Sequence, residues 1–301
     1  MPPIEGAPGP SRFGVRYECA VEARELVRLR LDLGYDGTDF SGWAAQPGRR
    51  TVVGVLLEVL TRLFGPDGAA GLTVAGRTDA GVHATGQVCH VDVPAGAWAR
   101  VEGSIVRRLA GLLPPDVRVH QAVRVPPTFD ARFSATFRRY EYRVSDAPSG
   151  PSPLRHRDTL GWPRPLDLAA LTAASARLVG EHDFAAYCRR KERATTVREV
   201  TALAWRRDPD GVIVATIEAD AFCQAMVRSL VGALLPVGDG RRPLSWPASL
   251  LVRTDRANEV VVAPAHGLTL VAVGYPDDSS EYAQRAALTR QLRSASGPAS
   301  G

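Results

Sequence analysis

The chain reads as an α+β protein made of two successive halves with the same element order, β-α-β-β-α-β. Three observations carry this reading. Val27, Leu29, Leu31 and Leu33 alternate with Arg28, Arg30 and Asp32, the period of a half-buried strand. Thr51 then stands before a stripe of Val52, Val55, Leu56, Val59, Leu60 and Leu63, and Gly65 follows it, which are the cap, apolar face and stop of a helix. The same succession of patterns returns in the second half, with no evident sequence repeat between the two.

The remaining elements follow in order. Strand-like runs occupy about 72–76 and 87–93. A second helix runs from about 101 to 113, with Ile105, Val106, Leu109 and Leu112 on one side, and 116–125 alternates as a strand. In the second half, 134–145 alternates as a strand and 166–179 reads as a helix ending at Gly180. Residues 197–206 and 212–218 read as a hairpin turning at Asp208-Pro209-Asp210-Gly211. An apolar helix over 222–235, a short helix near 246–253 and a strand over 268–275 complete the unit. Two such units in tandem predict ferredoxin-like lobes with largely antiparallel sheets. The lobes are expected at 25–130 and 131–276. The flanks, 1–24 and 277–301, are rich in Pro, Gly, Ser and charge and are expected to be mostly disordered, with a frayed helix over 281–292.

Composition narrows the function classes. A chain of 301 residues that is 45% hydrophobic can bury a sizeable core. The net charge of +5 and the pI of about 9.3 suit an anionic partner, of which nucleic acid is the commonest. Lys191 is the only lysine, so the basic surface is almost entirely arginine. Cys19, Cys89, Cys188 and Cys223 form no Cys-x-x-Cys pair, which predicts buried free thiols in a reducing compartment. The six histidines show no metal-ligand spacing, and Cys89 and His90, being adjacent, would face opposite sides of a strand. No metal site is expected. The start lacks the basic and apolar regions of a secretory leader, and the longest apolar run, near 225–237, contains Arg228 and is too short to span a bilayer. A cytoplasmic protein with no membrane partner is expected.

Chemistry concentrates in Gly76-Arg77-Thr78-Asp79-Ala80-Gly81-Val82-His83-Ala84. One carboxylate sits in a turn-forming run, with Arg77 two residues earlier and on the same face if the backbone is extended. A generic Asp-Ala-Gly triplet is a hairpin tip with a solvated arginine beside it. A lone carboxylate without a second acid, cysteine or metal pair instead suits nucleophilic catalysis.

The whole nonapeptide closely resembles the active-site signature of the tRNA pseudouridine synthase A family. Further blocks extend the resemblance from about residue 26 to 276. They are Tyr35-Asp36-Gly37-Thr38-Asp39-Phe40-Ser41-Gly42-Trp43, Phe129-Asp130-Ala131-Arg132-Phe133-Ser134-Ala135, Arg139-Tyr140-Glu141-Tyr142, Met226-Val227-Arg228 with Leu230-Val231-Gly232, and Ala263-Pro264-Ala265-His266-Gly267-Leu268. The chain departs from the family's usual residues at Ala44, Ala110, Ser229 and Thr269, positions that support the site or face RNA.

The resemblance implies a pseudouridine synthase fold and a homodimer acting on the tRNA anticodon stem-loop, at uridines 38, 39 and 40. It implies that Asp79 is the nucleophile, that Tyr140 stacks on the target base and can serve in proton transfer, and that Arg228 pairs with Asp79. An opposite charge nearby favours the ionised carboxylate. Arg77 is implied to help displace the target nucleotide from its helix. The reaction oxidises nothing and loses no group, so no cofactor is expected. On residues alone, Tyr140 lies on an alternating strand and could be a core aromatic, and Arg228 could serve a structural ion pair.

Among the basic runs, Arg189, Arg190, Lys191 and Arg193 stand together in an expected loop and are the favoured RNA-backbone contacts. Two other functions compete. A non-catalytic RNA-binding protein on the same fold would show aromatic runs such as Gly-Phe-Gly-Phe, and none is present. A nucleotide-binding enzyme would show Gly-x-Gly-x-x-Gly after a strand or a Walker loop, and neither is present.

Overall fold

The first strand, β1 (Leu26–Tyr35), buries the alternating side of its pattern, Val27, Leu29, Leu31 and Leu33. The computed structural model describes residues 25–66, 68–189 and 195–295. Helix α1 (Val52–Phe64) begins where the Thr51 hydroxyl accepts the amide of Gly54, and ends at Gly65, whose φ of 95° is open to glycine. Strands β2 (Ala70–Val74) and β3 (His83–Pro94) follow. The helix expected over 101–113 is interrupted. A short helix α2 (Ala95–Ala99) and a 3-10 turn at Glu102–Ser104 precede α3 (Ile105–Leu112). Strand β4 (Val117–Val125) closes the first half.

The second half opens with β5 (Phe137–Ser145), which starts later than alternation suggested because the buried Ser134 hydroxyl is engaged by the Asp130 amide and the Tyr282 carbonyl. After β6 (Leu160–Gly161), the Asp167 carboxylate accepts two amides and caps α4 (Leu168–Ser175). A short strand β7 (Gly180–Asp183) precedes the hairpin of β8 (Val197–Arg207) and β9 (Ile213–Ala219), which turns at Gly211 with φ 84°. Helices α5 (Met226–Gly238) and α6 (Trp246–Ser249) lead to β10 (Leu268–Gly274).

The strands form one ten-stranded sheet in the order β4-β1-β3-β10-β5-β9-β8-β7, with β2 beside β3 and β6 beside β5. Most neighbours are antiparallel. The two halves meet where β10 runs parallel to β3, with Thr269 opposite His83 and Leu270 opposite Ala84. The last strand enters between β3 and β5, and one apolar cluster draws on both halves, from Leu31 to Leu230. No helix among the described residues is long and apolar enough to cross a membrane.

One expectation is corrected. Cys188 and Cys223, expected as free thiols, form a disulfide with Cα atoms 5.6 Å apart, within the span such a bond bridges. They meet because the Arg189 amide bonds the Gln224 carbonyl, which brings the end of one loop against the entry to α5. Cys89 is free and buried, and Cys19 lies outside the described residues. In the segment after Pro276, the frayed helix expected over 281–292 is the helix α7 (Tyr282–Ala295). Its first residue packs on Phe129, with ring centroids 5.2 Å apart, so tertiary burial supplies what its polar sequence does not.

Candidate active site

The nonapeptide lies between β2 and β3, and the 36–43 loop presses against it. The backbone carbonyl of Thr78 accepts the Trp43 amide at 3.1 Å, and the Gly81 amide reaches the Phe40 carbonyl at 3.4 Å. Gly42 has φ 92°, and a Cβ there would stand 2.9 Å from the Thr78 carbonyl oxygen, so only glycine lets the loop lie this close. Inside the turn, the Thr78 hydroxyl and the Tyr35 hydroxyl are 2.7 Å apart. The Gln87 amide donates to the Tyr35 hydroxyl and to the Gly76 carbonyl. Burial pushes the Tyr35 hydroxyl up to about 12, against the opposing effect of its bonds to Thr78 and Gln87, so it stays a neutral donor.

This framework turns Thr78 inward and leaves Arg77 exposed and Asp79 part-exposed, the alternation that extended backbone produces. The expectation that Arg77 and Asp79 share a face therefore agrees with the burial. Arg77 makes no side-chain hydrogen bond or ion pair among the described residues, so its guanidinium is available to a ligand.

Arg228 comes to Asp79 from the other half. It lies on the first turn of α5, and its Nη1 stands 3.9 Å from Asp79 Oδ2, with side-chain exposures of 21% and 38%. The Arg228 Nε donates to the Ala263 carbonyl at 2.7 Å, which fixes the guanidinium while leaving its far edge toward the carboxylate. Helix α5 starts at Ala225 in left-handed backbone, φ 66°, an uncommon conformation for a residue with a Cβ. Ser229, next along the helix, is buried, and its hydroxyl has no partner among the described residues.

Tyr140 sits on β5, pairs with Ile217 of β9 and is 8% exposed. Its ring meets Phe222 edge-on, with centroids 5.2 Å apart and planes at 88°. Burial above all, with the nearby Asp79 carboxylate and against the lowering effect of Arg138, raises its hydroxyl well above the usual phenol range, so it is a proton donor and not a base. A Cβ on Gly76 would lie 4.0 Å from that hydroxyl, which places the ring against the start of the motif. The Tyr140 ring belongs to the apolar cluster, and its hydroxyl end faces the turn that carries Asp79.

The arrangement brings Asp79, Arg228 and Tyr140 together from three separate segments. Of the favoured basic residues, Arg189 is exposed and tied by its amide to Gln224, close to the entry of α5, while Arg190, Lys191 and Arg193 lie outside the described residues. Phe222, which backs Tyr140, was not singled out from the sequence: it was read as the start of the apolar helix over 222–235, but the helix begins only at Met226. Among the described residues no cluster of His, Cys, Asp and Glu could hold a metal ion.

Comparison with known proteins accords with this geometry. A family model described as tRNA pseudouridine synthase matches residues 174–276. A protein named tRNA pseudouridine synthase A from Frankia casuarinae is 59% identical over 268 residues, covering 89% of this chain and 96% of that relative. Relatives of the same name from Streptomyces griseus and Mycobacterium leprae are 55% and 51% identical, each over 90% of this chain and 96% of their own. Similarity of this extent, along nearly the whole of both chains, shows that this chain belongs to the tRNA pseudouridine synthase A family.

Proposed function

We propose that this protein isomerises uridine to pseudouridine in the tRNA anticodon stem-loop, at positions 38, 39 and 40, with Asp79 as the catalytic carboxylate. The observation that carries the reading is Asp79 itself, part-exposed in a turn braced from beneath, facing Arg228, with the Tyr140 hydroxyl beside the same turn. The enzyme is an isomerase of tRNA uridines: the bond from C1′ to N1 of uracil breaks, the base rotates, and C1′ is rejoined to C5. The C5 proton is lost and N1 gains one, so the atoms balance without a second reactant.

Each residue has a part in this. Asp79 either attacks the sugar or removes a proton from it; both routes need an ionised, part-exposed carboxylate. Arg228 holds that carboxylate in the orientation its bond to Ala263 dictates. Tyr140 offers a flat ring for the base and a protonated hydroxyl for proton transfer. The target uridine must leave its stack, which costs a few kcal/mol, and Arg77, exposed and unengaged, can fill the gap. Arg189, Arg190, Lys191 and Arg193 hold the RNA backbone. The two halves are read as ferredoxin-like lobes, supported by the strand orders β4-β1-β3-β2 and β10-β5-β9-β8. The enzyme works as a cytoplasmic homodimer.

The test is incubation with unmodified tRNA transcript, followed by chemical detection of pseudouridine at each position. Pseudouridine confined to positions 38, 39 and 40 supports the reading. Modification elsewhere overturns the site assignment, and none anywhere returns the protein to the class of non-catalytic RNA binders.

A further inference from the structure

His83 opens β3, four residues beyond Asp79, and its ring is buried. Both ring nitrogens are engaged by backbone. The Gly37 amide lies 3.0 Å from Nδ1, and the Arg157 carbonyl oxygen lies 2.8 Å from Nε2. The Asp36 carboxylate oxygen Oδ1 also lies 3.2 Å from Nδ1, so the same nitrogen meets the brace loop through both a backbone amide and a side chain. Neither nitrogen is left to exchange a proton with a substrate.

The two partners come from different halves of the chain. Gly37 belongs to the loop that braces the motif, and its backbone lies so close that a Cβ there would stand 2.0 Å from the Val82 carbonyl oxygen. Arg157 belongs to the segment between β5 and β6, and its guanidinium also reaches Asp36 at 3.3 Å. A Cβ on Gly81 would lie 3.2 Å from the Cβ of Ala265, two residues beyond the carbonyl that holds Arg228. His83 therefore stands where the brace loop, the catalytic turn and the second half's 157 segment meet, and the strand it opens pairs with β10 at Thr269.

We infer that His83 is a positioning residue for the reaction: its ring clamps the 36–43 loop and the 157 segment to the turn that carries Asp79, and so sets the approach of Asp79 to Arg228. The inference rests on the reading of Asp79 as the catalytic carboxylate. Misplacing a reacting group by about 1 Å can cost roughly a hundredfold in rate without loosening substrate binding, which separates positioning from a general loss of fold.

Three substitutions test it, because they keep different bonds. His83→Asn offers an acceptor for the Gly37 amide, His83→Gln offers a donor for the Arg157 carbonyl, and His83→Phe offers neither. Single-site kinetics with full-length protein and unmodified tRNA should show kcat of His83→Phe down roughly a hundredfold with KM within about threefold. His83→Asn and His83→Gln should each recover part of that loss. If His83→Phe does not fold by thermal melting, the same split of kcat from KM in the Asn and Gln variants carries the test. Wild-type kcat in the folded variants, or a loss confined to KM, overturns the inference. So does a folded Phe variant that neither polar replacement improves upon. Asp79→Asn measured alongside separates the two ideas. If it is inactive while the His83 variants are unaffected, only the positioning role fails; if it is active, the catalytic reading fails and this inference with it.

Discussion

Nη1 of Arg228 faces Oδ2 of Asp79 across 3.9 Å, from a helix of the second half to a turn of the first. The separation is at the outer limit of an ion pair, and both side chains keep part of their surface in solvent. A carboxylate gripped tightly by two guanidinium nitrogens would be a poor nucleophile. Here the arginine is anchored elsewhere, on Ala263, and orients the acid without occupying it.

Asp79→Asn should lower single-turnover pseudouridine formation by more than about a thousandfold, because the amide is neither nucleophile nor base. Binding of tRNA should stay near wild type, since the side chains are nearly isosteric. Activity and affinity measured on the same preparation decide this, and activity within about tenfold of wild type would remove Asp79 from the catalytic role.

Arg228→Ala should be felt more in turnover than in stability. A part-exposed pair contributes only about 0–1 kcal/mol, and the lost bond to Ala263 adds about 1 kcal/mol. Denaturant midpoints and kcat measured together check the split. A large loss of stability with intact turnover would make Arg228 a structural strut.

Tyr140→Phe keeps the ring against Phe222 and removes only the hydroxyl. Since burial keeps that hydroxyl protonated, its loss should lower turnover while leaving tRNA affinity unchanged. Unchanged turnover would leave Tyr140 with stacking alone.

Neutralising Arg189, Arg190, Lys191 and Arg193 together should raise KM for tRNA and leave the saturated rate nearly intact, because phosphate contacts position RNA without touching the reacting base. Each lost contact should flatten the dependence of log affinity on log salt by roughly 0.7–0.9. Parallel slopes for wild type and the quadruple variant would turn the search for the RNA path to the other arginines.

His90 gives the fold an acid-side weakness. Its Nδ1 accepts the Ala131 amide at 3.0 Å, and burial, then the charge of Arg28, lowers its pKa from 6.5 to about 4. The unfolded chain therefore takes up a proton that the native state refuses. The stabilisation is fully present above about pH 6.5 and drains away as pH falls toward 4, by a few kcal/mol at most. Urea midpoints across that window should fall more steeply for wild type than for His90→Asn, and equal slopes would place the titration elsewhere.

Local order was legible in the residues. The alternation of Val27 to Leu33, the Thr51 cap with Gly65 as its stop, and the turn at Asp208-Pro209-Asp210-Gly211 each depend on a few neighbouring residues, and each is where it was expected. Asp79 stood out for another reason: alone an Asp-Ala-Gly triplet reads as a hairpin tip, and only the whole run from Gly76 to Ala84, by its family resemblance, singles it out. The single sheet was not legible, because β10 could satisfy its edges beside either half, and its place between β3 and β5 depends on register and on closing long loops. The Cys188–Cys223 bond, the backing of Tyr140 by Phe222 and the burial of α7 on Phe129 share that origin. Periodicity states which face a residue turns to the core, but not which distant segment will be waiting there. That is why Asp79 could be proposed from its own neighbours, while the distance and exposure of its contact with Arg228 were decided only when two remote segments packed together.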